Sequence, residues 1–525
     1  NRLDLLDKNT REYFSKIEGI DIDTNNSFPK SDKTSKTLHF HQEKVHDFAW
    51  FADKRYKVLK DSVELPHSGR FVTTWAMFTP NEEKLWEKAS DYLNQSTYFY
   101  SLWNGDYPYN HVTAVDGTIS AGGGMEYPNV TVIGESSSDF ALNGVIAHEV
   151  GHNWFYGILG SNERINAWMD EGLNSFNETR YLMEYYEGKD LGLLSENVNP
   201  KLIETFDLEN FEYRWIDELS YLFPARLGVD QPLQCHSDDF SSLNYGAMVY
   251  KKTAAVFGFM KQYLGDEKFD KAMQTYFEDW KFKHPSPSDL QDSMEKSTGE
   301  DLSWFFEGWI KTDEKNNWAV CKAKEVDGSV EVSLRNIGNQ TSPAEVVVYN
   351  GDEVVGSTWV KVSSPGEKTT VKVPVSESTH VIIDPNRFDL DYDRTNNYSK
   401  TSGILKKFEP IQVKMLTRLE DGNKSQLFWL LTSGWNVHSG TMMGVAFHNT
   451  TIPMRNLEWH VNPMMGFKGN LSLNGTAAIT YSEGKWSARA RASRFMSMEN
   501  NENLWEPIFY PKPTHRLSFE LNKKF

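Results

Sequence analysis

The sequence predicts a multidomain α+β protein, and three observations support this expectation. The chain has 525 residues, which is more than one hydrophobic core usually organises. Apolar residues recur every three or four positions through its middle, which indicates helices, whereas Val-rich runs alternate with polar residues from about residue 317, which indicates strands. Apolar residues make up 39% and charged residues 24%, a balance typical of globular proteins.

Four segments follow from these changes of pattern. Residues 1–45 are polar and turn-rich and are interpreted as a tail or the remnant of an amino-terminal β-domain. Residues 46–312 mix short strands with helices and contain a helical subdomain from about residue 181. Residues 317–395 predict a β-sandwich, and residues 405–525 predict a carboxy-terminal antiparallel β region.

The second segment carries the clearest helix signals. Ser138 or Asp139 can cap the start of one helix, and Gly157 can close its end. The predicted helices cover residues 82–102, 139–157, 171–186, 247–264, 266–280, 287–298 and 301–310.

Charge and cysteine content exclude some classes of protein. Lys and Arg total 55 against 73 Asp and Glu, a net charge of −18, which argues against nucleic acid as a partner. The two cysteines, Cys235 and Cys321, make neither a disulfide framework nor a zinc-finger spacing. The chain begins with Asn and carries no signal-peptide pattern, and we expect a fragment or a processed product.

A metal site is predicted by the pentad HEVGH at residues 148–152. His148 and His152 are four residues apart and share one helix face, so both imidazoles can reach one ion. Glu149 lies beside the first ligand, where its carboxylate can accept a proton from water. The alternative is that the two histidines and the glutamate lie at a surface, where their hydrogen-bonding groups are satisfied without a metal. The apolar residues on both sides of the pentad favour a buried helix and therefore a metal.

In the motif WMDEG at residues 168–172, Glu171 follows His152 after eighteen intervening residues. Together with HEVGH this motif resembles the gluzincin aminopeptidases, the family that contains aminopeptidase N and leukotriene hydrolase. The resemblance implies a thermolysin-like α/β zinc peptidase domain at residues 46–312, with one Zn²⁺ ion held by His148, His152 and Glu171.

Two further motifs extend the resemblance. Gly123, Gly124, Met125 and Glu126 match the family's exopeptidase motif, which implies that this strand binds substrate and that Glu126 binds its α-ammonium group. Tyr127 and Pro128 follow where the family usually has Asn.

The segment YKKTA at residues 250–254 resembles the family's tyrosine motif. It implies that Tyr250 stabilises the oxyanion, with Tyr245 as the alternative.

The expected function is hydrolysis of N-terminal residues from peptides with a free amino terminus, with Glu149 as general base. Two alternatives stay open: an endopeptidase of the thermolysin type, and a catalytically silent binding or scaffold relative. Residues 405–525 resemble the barrel-like tail of Bacteroidetes-type surface peptidases. We therefore expect a bacterial cell-envelope protein whose carboxy-terminal region belongs to a partial outer-membrane β-barrel.

Overall fold

The computed structural model describes residues 32–117, 119, 123–187, 199–206, 208–501 and 508–523. Most of the predicted amino-terminal tail lies outside these residues. The chain divides into two compact units, which confirms the mixed, multidomain α/β architecture, while the four predicted segment boundaries stay predictions. Unit 1 comprises Asn1–Arg214 and Gln234–Phe306, and unit 2 comprises Trp215–Leu233 and Glu307–Phe525.

Unit 1 is built on a mixed five-stranded sheet. Its strands are β1 (Lys57–Glu64), β2 (Phe71–Phe78), β3 (His111–Asp116), β4 (Gly124–Met125) and β5 (Val130–Ile133). Their order is β1-β2-β3-β5-β4, with β2, β3 and β5 parallel and the outer strands antiparallel. The glycine-rich segment that the sequence singled out therefore ends in an edge strand.

Helices cover this sheet and form the rest of unit 1. The longer α-helices are α1 (Ala89–Asn104), α2 (Asp139–Gly151), α3 (Leu173–Tyr185), α4 (Thr253–Leu264), α5 (Asp266–Trp280) and α6 (Pro287–Thr298). Helices α5 and α6 have the bounds that the apolar spacing predicts. Two π-helical segments, Trp168–Gly172 and Tyr245–Lys252, precede α3 and α4. The predicted helices at 171–186 and 247–264 are therefore each divided into a π segment and an α-helix.

The prediction that Gly157 closes helix α2 is wrong, because α2 ends at Gly151. The side-chain amide of Asn153 donates to the carbonyl of Val150 at 2.9 Å. The backbone then turns, and Gly157 donates to the carbonyl of His152 at 2.9 Å. His152 consequently lies at the cap of the helix rather than inside it.

Unit 2 begins with two sheets that share one apolar core. A three-stranded sheet of order β10-β7-β6 and a four-stranded sheet of order β12-β11-β8-β9 both supply buried side chains to it, as the β-sandwich prediction requires. The strands are β6 (Trp318–Val326), β7 (Ser329–Asn336), β8 (Ser342–Asn350), β9 (Glu353–Ser363), β10 (Lys368–Pro374), β11 (His380–Ile383) and β12 (Tyr398–Lys400).

The remainder of unit 2 is a seven-stranded sheet in which β13 and β14 are parallel and all later pairs antiparallel. Its strands are β13 (Ile411–Met415), β14 (Ser425–Asn436), β15 (Gly440–His448), β16 (Leu457–Gly466), β17 (Ser472–Glu483), β18 (Trp486–Asn501) and β19 (Ile508–Lys523). Among the described residues, no helix has the length and apolar character needed to cross a membrane. Association with an outer membrane stays a prediction.

A buried ion-pair group ties the helix Trp215–Leu227 to the later part of unit 2. Arg226 on this helix donates to Glu420 at 2.7 Å, and Arg455 donates to the same carboxylate at 3.0 Å. The Glu420 side chain is 1% exposed. Burial alone would raise the pKa of Glu420, but the two guanidinium groups hold it down at about 2.

Glu420→Gln is expected to destabilise unit 2 by about 3 kcal/mol at neutral pH, because it leaves two buried cations without their carboxylate. The folded-state pKa lies below the ordinary value of 4.5, so this contribution is present above about pH 4.5 and is lost as the pH falls towards 2. Urea unfolding of both proteins from about pH 7 to about pH 3 should show the difference closing.

Glu307→Gln, in the exposed pair with Lys311, is the control and should change the free energy of unfolding by less than about 0.5 kcal/mol. Equal stability of Glu420→Gln and wild type at neutral pH would contradict the assigned role.

Candidate metal centre

Helix α2 positions two of the predicted ligands. The Ser138 hydroxyl accepts a hydrogen bond from the backbone of Ala141 at 3.1 Å, which fixes the helix start as the sequence predicts. One turn separates His148 from His152, and both rings face the same side. Their Nε2 atoms are 3.1 Å apart.

Glu171 reaches these rings from the π-helical segment Trp168–Gly172. The extra residue per turn in such a segment changes the direction of its side chains, and π segments are frequent at functional sites. Gly172 allows the close approach on which this depends, since a Cβ atom there would overlap Thr253 at the start of α4.

The three predicted ligand atoms form a nearly equilateral triangle. Glu171 Oε2 lies 3.2 Å from Nε2 of His148 and 3.2 Å from Nε2 of His152. Tetrahedral zinc with bonds of about 2.0–2.1 Å separates its ligands by about 3.3–3.4 Å. The triangle matches that spacing to within a few tenths of an ångström, so these residues fit a zinc ion.

Two further carboxylates hold the other nitrogen of each imidazole. Nδ1 of His148 lies 3.0 Å from Oε2 of Glu178, and Nδ1 of His152 lies 2.8 Å from Oδ1 of Asp170. An ionised carboxylate can only accept, so each Nδ1 carries the proton and each Nε2 is turned to the centre.

Sequence reasoning missed Glu178 and noted Asp170 only as part of a motif. The available signal for Glu178 was its position seven residues after Glu171, on the same helical face.

The histidines and carboxylates of this site shift one another's pKa values. Burial alone would lower the pKa of His148, but the carboxylates of Glu171 and Glu178 raise it to about 10. Hydrogen bonds from His148 and His152 hold the pKa of Glu171 below its ordinary value despite burial. These residues bind a divalent cation in their deprotonated forms, so binding of a cation would release protons.

Glu149 is buried beside this triangle. Burial raises its pKa to about 7, partly offset by the neighbouring imidazoles. Its Oε2 atom is buried and makes no hydrogen bond to the described residues. The carboxyl group packs on Gly124 of strand β4, where a Cβ atom would overlap it. Gly124 therefore lets the edge strand approach the pentad.

Glu126 follows directly on strand β4 and lies within the same cluster. One carboxylate oxygen of Glu126, one of Glu149 and a ring nitrogen of His152 all lie within 4.8 Å of one another. Met125 pairs with Val132 of β5, and Gly123 accepts a hydrogen bond from Gly134 at 2.9 Å. The predicted exopeptidase segment thus runs along the edge of the site.

Tyr250 packs against the ring of His148. The two rings stack with their centroids 6.1 Å apart, and the pKa of Tyr250 is raised by burial and by a hydrogen bond to Glu171. The hydroxyl therefore stays protonated and can donate. Tyr245 packs edge-on against Tyr250 with centroids 5.8 Å apart, one ring farther from the histidines.

Comparison with known proteins agrees with this arrangement. Residues 89–309 match the peptidase family M1 domain. The matched segment contains all the predicted site residues, from Gly123 to Tyr250.

Among individual relatives, aminopeptidase N of Lactococcus lactis subsp. lactis is 25% identical over 205 residues, covering 36% of this chain and 20% of the relative. Aminopeptidase M1 of Arabidopsis thaliana is 25% identical over 203 residues, covering 38% of this chain and 21% of the relative. The chain thus spans about a fifth of the length of these curated relatives.

A crystal structure of Legionella pneumophila aminopeptidase A in complex with aspartic acid aligns with a TM-score of 0.48 and 15% identity, covering 64% of this chain and 38% of that one. Residues 89–309 are thus similar to the peptidase family M1 domain, and the individual relatives that match are aminopeptidases.

Proposed function

We propose that the protein is a zinc-dependent aminopeptidase. The observation that carries the proposal is the position of Glu126, whose carboxylate joins Glu149 and His152 in one cluster within 4.8 Å. A peptidase that acts inside a chain has no use for a second anionic group at this point. An enzyme that acts on a free amino terminus needs one.

His148, His152 and Glu171 would hold the zinc ion, with Glu178 and Asp170 orienting the two imidazoles. Bound zinc supplies Lewis acidity, which polarises the scissile carbonyl and lowers the pKa of water. The M1 family is zinc-dependent in general, which supports this choice of metal.

Proton transfer falls to Glu149. Its Oε2 atom can accept the proton of the attacking water and pass it to the leaving amine. The Tyr250 hydroxyl, kept protonated by burial and by Glu171, donates to the oxygen that becomes negative in the transition state.

Glu126 would bind the α-ammonium group of the substrate. This contact fixes the amino terminus at a set distance from the reacting carbonyl, which confines hydrolysis to one residue at a time. Peptides with a free amino terminus are therefore the proposed substrates. We also propose a bacterial cell-envelope location, and this part of the proposal depends on unit 2.

The zinc-loaded protein is expected to hydrolyse peptides with a free amino terminus and to leave the same peptides intact after N-acetylation. Glu149→Gln should lower kcat by a factor of about 10² or more while the zinc content stays at one equivalent. A paired chromatographic assay with zinc analysis measures both quantities.

Equal cleavage of acetylated peptides would point to an endopeptidase. Absence of cleavage with zinc bound would favour a catalytically silent relative.

Gly124→Ala should displace the Glu149 carboxylate, because the new methyl group occupies its position. We expect kcat to fall by about 10² with the zinc content unchanged. Gly258→Ala on helix α4 is the control, since nothing lies within 4 Å of the Cβ that it would add. Wild-type kcat in Gly124→Ala would show that Glu149 is not held against the strand as described.

Glu178→Gln should weaken zinc binding by about tenfold, because a neutral amide no longer compensates the charge on the His148 ring. Competition with a chromophoric chelator measures the affinity. Glu184→Gln, an exposed position on the same helix α3, is the control. Identical zinc affinities of the two variants would exclude Glu178 from the metal centre.

A further inference from the structure

The seven-stranded sheet of unit 2 has two faces of opposite chemistry. We define the apolar face by the side chains that project with Leu431, Ile479 and Phe519, and the polar face by those that project with Gln426, His448 and Asn474. The register places these two sets on alternate positions of every strand from β14 to β19.

Exposure is the reverse of what an antiparallel sheet in water shows. Leu431 and Phe519 on the apolar face are each 75% exposed. On the polar face, Gln426 is 5%, His448 8% and Asn474 2% exposed. A sheet with one face in water buries its apolar side chains and exposes the polar ones. On strands β14 to β17 the side chains that project with Gln426 are the enclosed ones, and they include the apolar Phe428, Met442 and Met464.

Hydrogen bonds join several side chains of the polar face. Thr432 donates to Asn462 at 2.8 Å, and Ser439 donates to Asn474 at 3.2 Å. The apolar face carries the more exposed side chains, such as Leu431 and Phe519, and is the surface that this sheet presents to its surroundings.

The apolar face has sharp boundaries on the last three strands. Arg494 pairs with His515 at one end, and Trp486 pairs with Lys523 at the other, eight positions along β18 and β19. No charged side chain lies between these rows on this face of the described strands. The side chains between the rows are Ala477, Ile479, Tyr481, Ala488, Ala490, Ala492, Leu517, Phe519 and Leu521.

The length of this uncharged band along the strands is close to that of a strand in a lipid bilayer. Eight positions of extended chain span about 26 Å. A strand that crosses the hydrocarbon core of a bilayer needs roughly 9–11 residues. The Nζ atom of Lys523 lies 5.3 Å from the Trp486 ring centroid, so a cation and an aromatic ring share one boundary. Aromatic and cationic side chains favour the level of the anionic phosphate headgroups.

We propose that the apolar face binds the acyl chains of a lipid bilayer, with Arg494 and Lys523 at the level of the headgroups. A second copy of the chain fits less well, because protein interfaces carry about one hydrogen bond per 100–200 Å². Between the two charged rows on strands β17 to β19, Tyr481 is the one described side chain of this face with a hydrogen-bonding group.

The test is flotation of the full chain, diluted from detergent, with phosphatidylcholine vesicles at low and high salt. Wild type should float at both salt concentrations, because contact with acyl chains does not depend on charge. Ile479→Arg/Phe519→Arg should lower the bound fraction at least about thirtyfold, since arginine is costly at the middle of a lipid-facing strand.

Thr480→Arg/Ser518→Arg places the same charges on the polar face of the same strands and should keep the bound fraction within about threefold of wild type. Circular dichroism and peptidase activity report whether each variant is folded. Wild type that stays in the aqueous fraction overturns the proposal. So does a soluble dimer that Ile479→Arg/Phe519→Arg dissociates, because the face would then bind a second copy.

Discussion

The site depends on one electrostatic constraint: two imidazole nitrogens and a carboxylate oxygen are held 3.1–3.2 Å apart in a buried place. Two imidazole nitrogens and a carboxylate oxygen at this spacing suit a divalent cation, which they bind in their deprotonated forms. The raised pKa of His148 and the lowered pKa of Glu171 are two signs of the same constraint. The outer carboxylates, Glu178 and Asp170, supply the charge that keeps both rings turned inward.

Irregular backbone segments bring the side chains of the site into this arrangement. A π-helical segment brings Glu171 to the histidines, and a second π segment brings Tyr250 to Glu171. Regular α-helices would direct these side chains differently, because each π turn adds a residue. Strand β4 contributes through a glycine, which lets Glu149 and Glu126 share one side of the centre. Two of the three π-helical segments in the described residues thus lie where the chemistry is proposed, and the third covers Trp304–Ile310.

The sequence predicted well what depends on local pattern. Helices α5 and α6, the alternation of the later strands and the pairing of His148 with His152 follow from spacing. The family resemblance added Glu171, and the structure brings the three residues together. What depends on tertiary contacts was not predictable. The end of α2 is set by an Asn153 side chain, the π segments by close packing around Gly172, and the Glu178 contact by the angle between helices.

The carboxy-terminal sheet also has a property that the sequence pattern cannot predict. Period-two alternation identifies its strands but is the same whether the apolar side chains face a protein core or lipid. Burial distinguishes the two cases, because Asn474 is enclosed and Phe519 is not. If lipid covers that face, the sheet gains the free energy of moving apolar surface out of water. A soluble domain gains the same kind of free energy when it forms its own core. Unit 1 buries much of its apolar surface in its own core, so the two units would differ in what covers their apolar side chains.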